Sequence, residues 1–224
     1  MIRLGILGST RGTAMSPIIS AILEKKLDAE VAVVISNKSD ALILEKAKNA
    51  EITAQFVDPT NIAREEYDEK VSKILEKHQI DLVILIGYMR ILSKNFVEKW
   101  KNKIINVHPS LLPDFGGMMD VKVHEAVIAA GKKESGCTVH IVTEEVDGGP
   151  IVLQKKCAVY ETDTAEVLKA RVQLLEADAL VEAIKALSSR DNTPSSRDLF
   201  AGSSSSGYAT LDPANKSRDD GRSH

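Results

Sequence analysis

The chain is poor in cysteine and has no long apolar run. Cys137 and Cys157 are its two cysteines among 224 residues, too few for a disulfide framework or a four-thiolate metal site. The longest purely apolar run, residues 82–86, is far too short to span a bilayer. The first residues lack the pattern of a signal peptide. These shortages argue against a secreted disulfide-rich domain and a membrane partner, and we expect a cytoplasmic protein.

An excess of basic charge is also missing. Lysine and arginine number 29 against 32 aspartates and glutamates, which gives a formal net charge of -3. The basic residues are scattered along the chain, whereas a nucleic-acid-binding surface needs positive charge massed on one face. We therefore expect no nucleic-acid partner, although a local basic pocket for a small phosphate remains compatible with this composition.

Apolar runs alternate with helical patterns along most of the chain. Strand-like runs lie at residues 4–7, 31–35, 52–57, 82–86, 104–108, 138–142 and 151–154, and helical spacing recurs at 15–27, 40–49, 63–75 and 123–130. This alternation predicts an α/β fold with a doubly wound, mostly parallel sheet and right-handed connections. The length predicts one domain with an appendage.

The appendage is the carboxyl-terminal segment. From residue 188 onward Ser, Asp, Arg, Asn, Gly and Pro dominate, with four consecutive serines at 203–206. Such a composition is typical of chains that cannot form a packed core. We expect residues 1–187 to form the folded domain and residues 188–224 to be a disordered tail whose deletion leaves activity intact.

Polar side chains end the apolar run that begins at Ile104. Asn106 and His108 are two residues apart, so in a strand they point to the same side. Open α/β sheets place their sites where strands end. An amide can stabilise a developing oxyanion and an imidazole can move a proton near neutral pH, which is what acyl transfer needs. The alternative for this pair is a capping asparagine and a core histidine.

The glycine-rich loop at 144–150 carries a candidate carboxylate. Asp147 precedes two glycines, which let backbones approach closely, so its side chain could reach His108 and orient or charge the ring. A surface aspartate in a turn is the commoner structure for an Asp-Gly pair. His140 could brace the same carboxylate or simply pack in its strand. Spacing leaves these alternatives open.

Two earlier loops carry further candidates. Residues 8–13 join a strand to a helix, where backbone N–H groups can hold a phosphate and Arg11 adds charge. This loop matches neither the dinucleotide fingerprint nor the P-loop pattern, so the choice lies between a monophosphate site and a tight turn. Arg90, among apolar residues after the run 82–86, indicates either a cleft for a flat heterocycle with a carboxylate tail or a packed turn.

Five stretches together closely resemble the phosphoribosylglycinamide formyltransferase family, folate-dependent enzymes of purine synthesis. They are residues 8–13, 36–38, 88–92, 106–113 and 136–150, and their shared order extends the resemblance from residue 1 to about 187. The resemblance implies a Rossmann-like formyltransferase fold. It also implies formyl transfer from 10-formyltetrahydrofolate to the amine of 5'-phosphoribosylglycinamide, by a monomer or homodimer that needs no metal.

The resemblance also implies the roles of individual residues. Asn106 and a protonated His108 would stabilise the oxyanion, and Asp147 would keep His108 charged and relay the proton. The ribonucleotide would contact Arg11, Gly12, Thr13, Ala14, Pro109 and Glu176. The folate would contact Arg64, Met89, Arg90, Ile91, Leu92, Val97, Asn106, Val142, Thr143, Glu144 and Asp147.

Three rival functions remain. A formyltetrahydrofolate hydrolase would use water as the acceptor, but Pro109 after His108 and the lack of a preceding regulatory domain argue against it. A methionyl-tRNA formyltransferase would be expected to carry an RNA-binding domain, for which the tail is neither long nor basic enough. A catalytically silent nucleotide- or folate-binding module would keep the pockets and tolerate loss of His108 and Asp147.

Overall fold

The computed structural model describes residues 1–190, and within them strands and helices alternate. The strands are β1 Ile2–Leu7, β2 Ala29–Ser36, β3 Ala54–Phe56, β4 Leu82–Leu85, β5 Ile104–His108, β6 Glu134–Ile141 and β7 Ile151–Ala158. The helices are α1 Met15–Leu23, α2 Leu42–Asn49, α3 Arg64–Lys77, α4 Lys94–Lys99, α5 Val121–Ala129 and α6 Ala165–Arg190. None of these helices is long and apolar enough to cross a membrane.

The strands form one sheet in the order β3-β2-β1-β4-β5-β6-β7. Neighbours from β3 to β5 are parallel, whereas β5 pairs with β6 and β6 pairs with β7 in antiparallel fashion. The predicted doubly wound, mostly parallel α/β sheet is confirmed. The antiparallel pairing matters for the site, because it folds β6 back alongside β5.

Apolar side chains leave both faces of the central strands. In β4, Ile84 packs with residues of α1, α5 and α6, while Val83 and Leu85 pack on the other face with residues of α3 and α4. Each buried Leu, Ile or Val side chain contributes about 1.5–3 kcal/mol relative to its exposed state. Burial on both faces explains why the run at 82–86 is apolar throughout rather than alternating.

Helix α6 extends past residue 187, the predicted end of the folded domain. It continues to Arg190, the last residue that the structure describes. The helix starts at Ala165 and packs against α1, α5, β6 and β7, and Leu187 packs against the core. The disorder expected for the rest of the tail concerns residues 191–224, which lie outside the described residues.

Loops after β1 and β4 meet at the carboxyl edge of the sheet, which we define as the edge where β1, β4 and β5 end. The Ser9 N–H donates to the Gly87 carbonyl at 3.1 Å. The Ser9 hydroxyl accepts from the Met89 N–H at 2.9 Å and donates to Oδ1 of Asn37 at 2.6 Å. Three loops are thus tied together at the point where the strand order reverses, the usual place for a ligand in this architecture.

Candidate active site

The last residues of β5 bring two polar side chains to the carboxyl edge. His108 is 4% exposed and Asn106 is half-buried. Both face the same neighbours, since His140 lies within 3.2 Å of Asn106 and Asp147 lies within 3.2 Å of His108 and 3.4 Å of His140. Strand alternation therefore places the two side chains as predicted.

The carboxylate of Asp147 lies at the centre of this group. Oδ2 is 3.2 Å from Nδ1 of His108 and accepts the Gly117 N–H at 2.8 Å, while Oδ1 is 3.4 Å from Nε2 of His140. The sequence left a surface turn open as an alternative, but Asp147 is largely buried, with 11% of its side chain exposed. The predicted contact between Asp147 and His108 is present.

Close backbone approach holds the Asp147 loop beside β6. A Cβ added to Gly149 would lie 1.9 Å from the carbonyl oxygen of Ile141, so only glycine fits there. Asp147 itself has a positive φ of 54°, a conformation that costs a non-glycine residue energy and recurs where backbone geometry serves a site. Both features fix the direction in which the carboxylate points.

Protonation within the group follows from burial and contacts. Burial opposes ionisation of Asp147, yet His140, the Gly117 N–H and His108 hold the pKa of this carboxyl below its usual value. Burial also dominates at His108 and lowers the pKa of the ring below its usual 6.5, although Asp147 and the Phe115 carbonyl act in the opposite direction. Burial therefore acts against the charged resting His108 that the resemblance implies, and the contact with Asp147 acts in its favour.

The ring nevertheless has partners for a second proton. Nδ1 faces the Asp147 carboxylate, and Nε2 lies 3.1 Å from the carbonyl oxygen of Phe115. Both oxygens can only accept hydrogen bonds. If a negative charge develops near His108, the ring can therefore become an imidazolium and keep both of these contacts.

Most residues expected to contact the folate lie together between the β4 loop and the loop after β6. Met89 and Ile91 expose apolar surface, 41% and 63% respectively. Leu92 and Val142 pack against one core cluster. Lys94, at the start of α4, pairs with Glu144 in the loop after β6 at 3.3 Å. The remaining members of this set in the two loops and α4 are Val97, which is buried, and Thr143, whose hydroxyl donates to the Glu145 carbonyl.

Two arginines border this surface. The Arg90 guanidinium stacks on the Tyr67 ring, 4.2 Å from its centroid, and its buried Nε has no hydrogen-bond partner in the described part of the chain. Arg64 is exposed at the first turn of α3 and pairs with Glu65 at 3.5 Å. An apolar surface bordered by guanidinium groups fits a flat heterocycle that carries carboxylates.

Residues expected to contact the ribonucleotide lie in the loop after β1, directly after β5 and on α6. Gly12 has a φ of +59°, and a Cβ there would lie 2.4 Å from Ile43, so the loop requires glycine. Its neighbours Thr13 and Ala14 lead directly into α1, while Arg11 is exposed. Pro109 follows His108 at the end of β5. Burial raises the pKa of Glu176 to about 7, against the effect of Lys169.

The comparison with known proteins gives this geometry a family. The family model for formyl transferases matches residues 2–184. The chain belongs to the formyl transferase family. It is 40% identical over 174 residues to the phosphoribosylglycinamide formyltransferase of Haemophilus influenzae, an alignment that covers 77% of this chain and 81% of that relative.

Two further proteins are similar to this chain over most of its length. The structure of glycinamide ribonucleotide transformylase 1 from Symbiobacterium toebii superposes with a TM-score of 0.81 at 39% identity, covering 85% of this chain and 89% of that one. The trifunctional purine biosynthetic protein adenosine-3 of Gallus gallus is 39% identical over 189 residues. The alignment covers 84% of this chain but 18% of that relative, so the chain corresponds to one part of a much longer protein.

Some contacts of this formyl transferase site were not foreseen from the sequence. Backbone groups of Phe115 and Gly117 contact His108 and Asp147, and His140 contacts Asn106. The contact of His140 with the Asp147 carboxylate was one of two alternatives that the sequence left open. The glycines at 116 and 117 were a signal for a loop, but no pattern tells which backbone group of a loop meets a side chain. Within residues 1–190, no group of three or more His, Cys, Asp or Glu side chains is arranged to hold a metal ion.

Proposed function

We propose that the protein transfers the formyl group of 10-formyltetrahydrofolate to the amine of 5'-phosphoribosylglycinamide. The observation that carries the proposal is the cluster of Asn106, His108 and Asp147 at the carboxyl edge of a formyl transferase fold. His108 contacts Asp147, and His140 contacts both Asp147 and Asn106. An amide donor, an imidazole and a carboxylate are the groups that direct acyl transfer to an amine requires. The similarity to the phosphoribosylglycinamide formyltransferase of Haemophilus influenzae and to the glycinamide ribonucleotide transformylase of Symbiobacterium toebii supports this choice of acceptor.

The reaction needs no nucleophile from the enzyme. The substrate amine attacks the formyl carbon, a C–N bond forms, and the carbonyl oxygen becomes an oxyanion. The amide of Asn106 donates to that oxygen, and His108 stabilises it as an imidazolium. Because the site holds the amine and the formyl carbon close together, the bimolecular step becomes effectively unimolecular.

His108 and Asp147 move the proton. The neutral His108 ring can accept the proton that the attacking amine loses, directly or through Asp147 and a water, and the Asp147 carboxylate stabilises the charge that results. When the bond between the formyl carbon and the folate nitrogen breaks, the same proton goes to that nitrogen. The proton balance closes without a metal or a second cofactor.

Binding of the ribonucleotide would use the β1 loop. Backbone N–H groups of Gly12, Thr13 and Ala14 precede α1, where the helix dipole and free N–H groups attract a phosphate. Arg11 adds positive charge to the same loop, and Pro109 would line the path of the glycinamide. Glu176 would accept from hydroxyl groups of the ribonucleotide.

Binding of the folate would use the apolar surface between the two other loops. Met89, Ile91, Leu92, Val97 and Val142 would contact the flat ring system. The guanidinium groups of Arg64 and Arg90 would pair with carboxylates of the tail. The loop of Thr143, Glu144 and Asp147 would close over the pterin. The folate acts as a co-substrate, and the expected partners are these two small molecules, with the protein working as a monomer or homodimer.

The proposal is tested by tetrahydrofolate release from 10-formyltetrahydrofolate with and without the ribonucleotide. We expect release to require the ribonucleotide and to be lost in His108→Ala, while His78→Ala, a matched change at the end of α3, keeps normal turnover. Release that does not need the ribonucleotide would make the protein a hydrolase. Bound folate with no turnover in either case would make it a silent binding module.

A further inference from the structure

His140 and Asn106 lie directly opposite each other on adjacent antiparallel strands. Side chains in such pairs have Cβ atoms about 4.5–5.5 Å apart and contact each other directly. Here Nδ2 of Asn106 lies 3.2 Å from Nε2 of His140, whose side chain is 2% exposed. The contact is therefore built into the strand register and protected from water.

The other ring nitrogen of His140 decides what Nε2 can do. Nδ1 lies 3.1 Å from the carbonyl oxygen of Ile141. A carbonyl oxygen only accepts hydrogen bonds, so Nδ1 must carry a proton. In the neutral ring Nε2 then has a lone pair and no hydrogen, and it accepts from Nδ2 of Asn106.

This acceptor fixes which end of the Asn106 amide enters the site. The two ends of an amide have nearly the same shape, and only their hydrogen-bond partners distinguish them. With one hydrogen of Nδ2 donated to His140, the second remains available for the formyl oxygen. If the amide turned over, Oδ1 would face the developing oxyanion and repel it.

We propose that His140 is a positioning residue that holds the Asn106 amide with its N–H end available to the reacting formyl oxygen. The inference rests on the proposed formyl transfer. Asp147 competes for the same nitrogen, since Oδ1 lies 3.4 Å from Nε2. A doubly protonated ring would instead donate to Asp147, the contact through which His140 lowers the pKa of that carboxyl, and could not accept from Asn106. The proposed role therefore requires the neutral ring with its proton on Nδ1.

Two substitutions separate this role from simple packing. In His140→Asn the shorter amide can still reach the Ile141 carbonyl but leaves no acceptor beside Asn106. We expect kcat to fall on the order of 10- to 100-fold, below the roughly 10²–10³-fold cost of deleting an oxyanion donor, with both KM values within about twofold. His140→Gln can place Oε1 near the position of Nε2, and we expect it to restore kcat to within about threefold of the wild type.

A double-mutant cycle tests whether the effect passes through Asn106. In an Asn106→Ala background, His140→Asn should lower kcat by less than about twofold further, because the amide it positions is gone. The same loss in both backgrounds would overturn the inference and assign His140 to Asp147 or to packing. An unchanged kcat in the single variant His140→Asn would overturn it as well.

A measurement independent of turnover tests the tautomer. Two-bond proton–nitrogen correlation spectra of the wild-type protein near neutral pH should show His140 with Nδ1 protonated and Nε2 bare, assigned by the signals missing from His140→Gln. A proton on Nε2 would overturn the inference. Because this experiment needs no reaction, its failure is distinguishable from the failure of formyl transfer, which would appear as a wild-type protein that releases no tetrahydrofolate.

Discussion

Replacing Asp147 by asparagine should slow formyl transfer through its effect on His108. The change keeps the shape of the side chain and removes its charge. Oδ2 of Asp147 lies 3.2 Å from Nδ1 of His108, with 5% and 11% of the two side chains exposed. An amide at this position can still accept one hydrogen bond, but it cannot balance an imidazolium.

The size of the effect follows from that contact. A hydrogen bond to a charged group contributes about 1.5–3 kcal/mol, and the bare Coulomb energy at this separation, about 5 kcal/mol for an effective dielectric constant of about 20, sets the upper limit. Because about 1.4 kcal/mol is a factor of ten, we expect kcat to fall on the order of 10- to 100-fold. Asp147 acts to raise the pKa of His108, so its removal should lower that pKa further.

The assay measures initial rates of tetrahydrofolate release at saturating substrates, together with a titration of His108 by nuclear magnetic resonance. Asp114→Asn is the matched control, because Asp114 lies in the neighbouring loop and pairs with Lys132 at the surface. The control should keep kcat within about twofold, as is usual for an exposed ion pair. A kcat for Asp147→Asn equal to that of the control, or a His108 pKa that rises, would show that Asp147 does not act through the charge of His108.

Three further predictions concern protonation and packing. Burial lowers the pKa of His108. We therefore expect kcat/KM, corrected for ionisation of the substrate amine, to stay level from about pH 8 to about pH 6.5 and to fall only below about pH 6.5. A mechanism with a charged resting ring would instead lose activity as the pH rises through this range. Burial raises the pKa of Glu176 from 4.5 to about 7 in the folded protein, so the folded state loses stability as the pH rises between these two values. Calorimetry should find Glu176→Gln more stable than the wild type by on the order of 2–3 kcal/mol at about pH 8 and equal to it near pH 4.5. Equal stabilities of the two proteins at both pH values would contradict this. Gly149→Ala should lower the free energy of unfolding in denaturant by about 1–3 kcal/mol, because the added methyl group clashes with the Ile141 carbonyl. Gly148→Ala is the control, because its methyl group meets only the flexible Glu145 side chain. A similar loss of stability in both variants would contradict the close contact at Gly149.

The sheet could be predicted because its signals are local. A run such as residues 82–86 is apolar throughout only where both faces are covered, and the loop and helix after each early strand follow in order. The register of β6 against β5 is not a local property. It sets His140 opposite Asn106, and the sequence offered a packed strand histidine as an equal alternative.

The part of the site that depends on strand geometry could be predicted from the sequence. The spacing of Asn106 and His108 predicts that they share a face, and the glycines after Asp147 predict close approach. The approach of Asp147 to His108 spans 38 intervening positions that no periodicity covers. The balance of charge at His108 depends on burial, which requires the packed structure.

Formyl transfer to the ribonucleotide can be tested by following the formyl carbon itself. A single turnover with 10-formyltetrahydrofolate labelled with carbon-13 in the formyl group, excess enzyme and 5'-phosphoribosylglycinamide should move the label into an amide of the ribonucleotide. The label should stay on the folate when the enzyme is His108→Ala. Label recovered as free formate from the wild-type protein, with none on the ribonucleotide, would contradict the account.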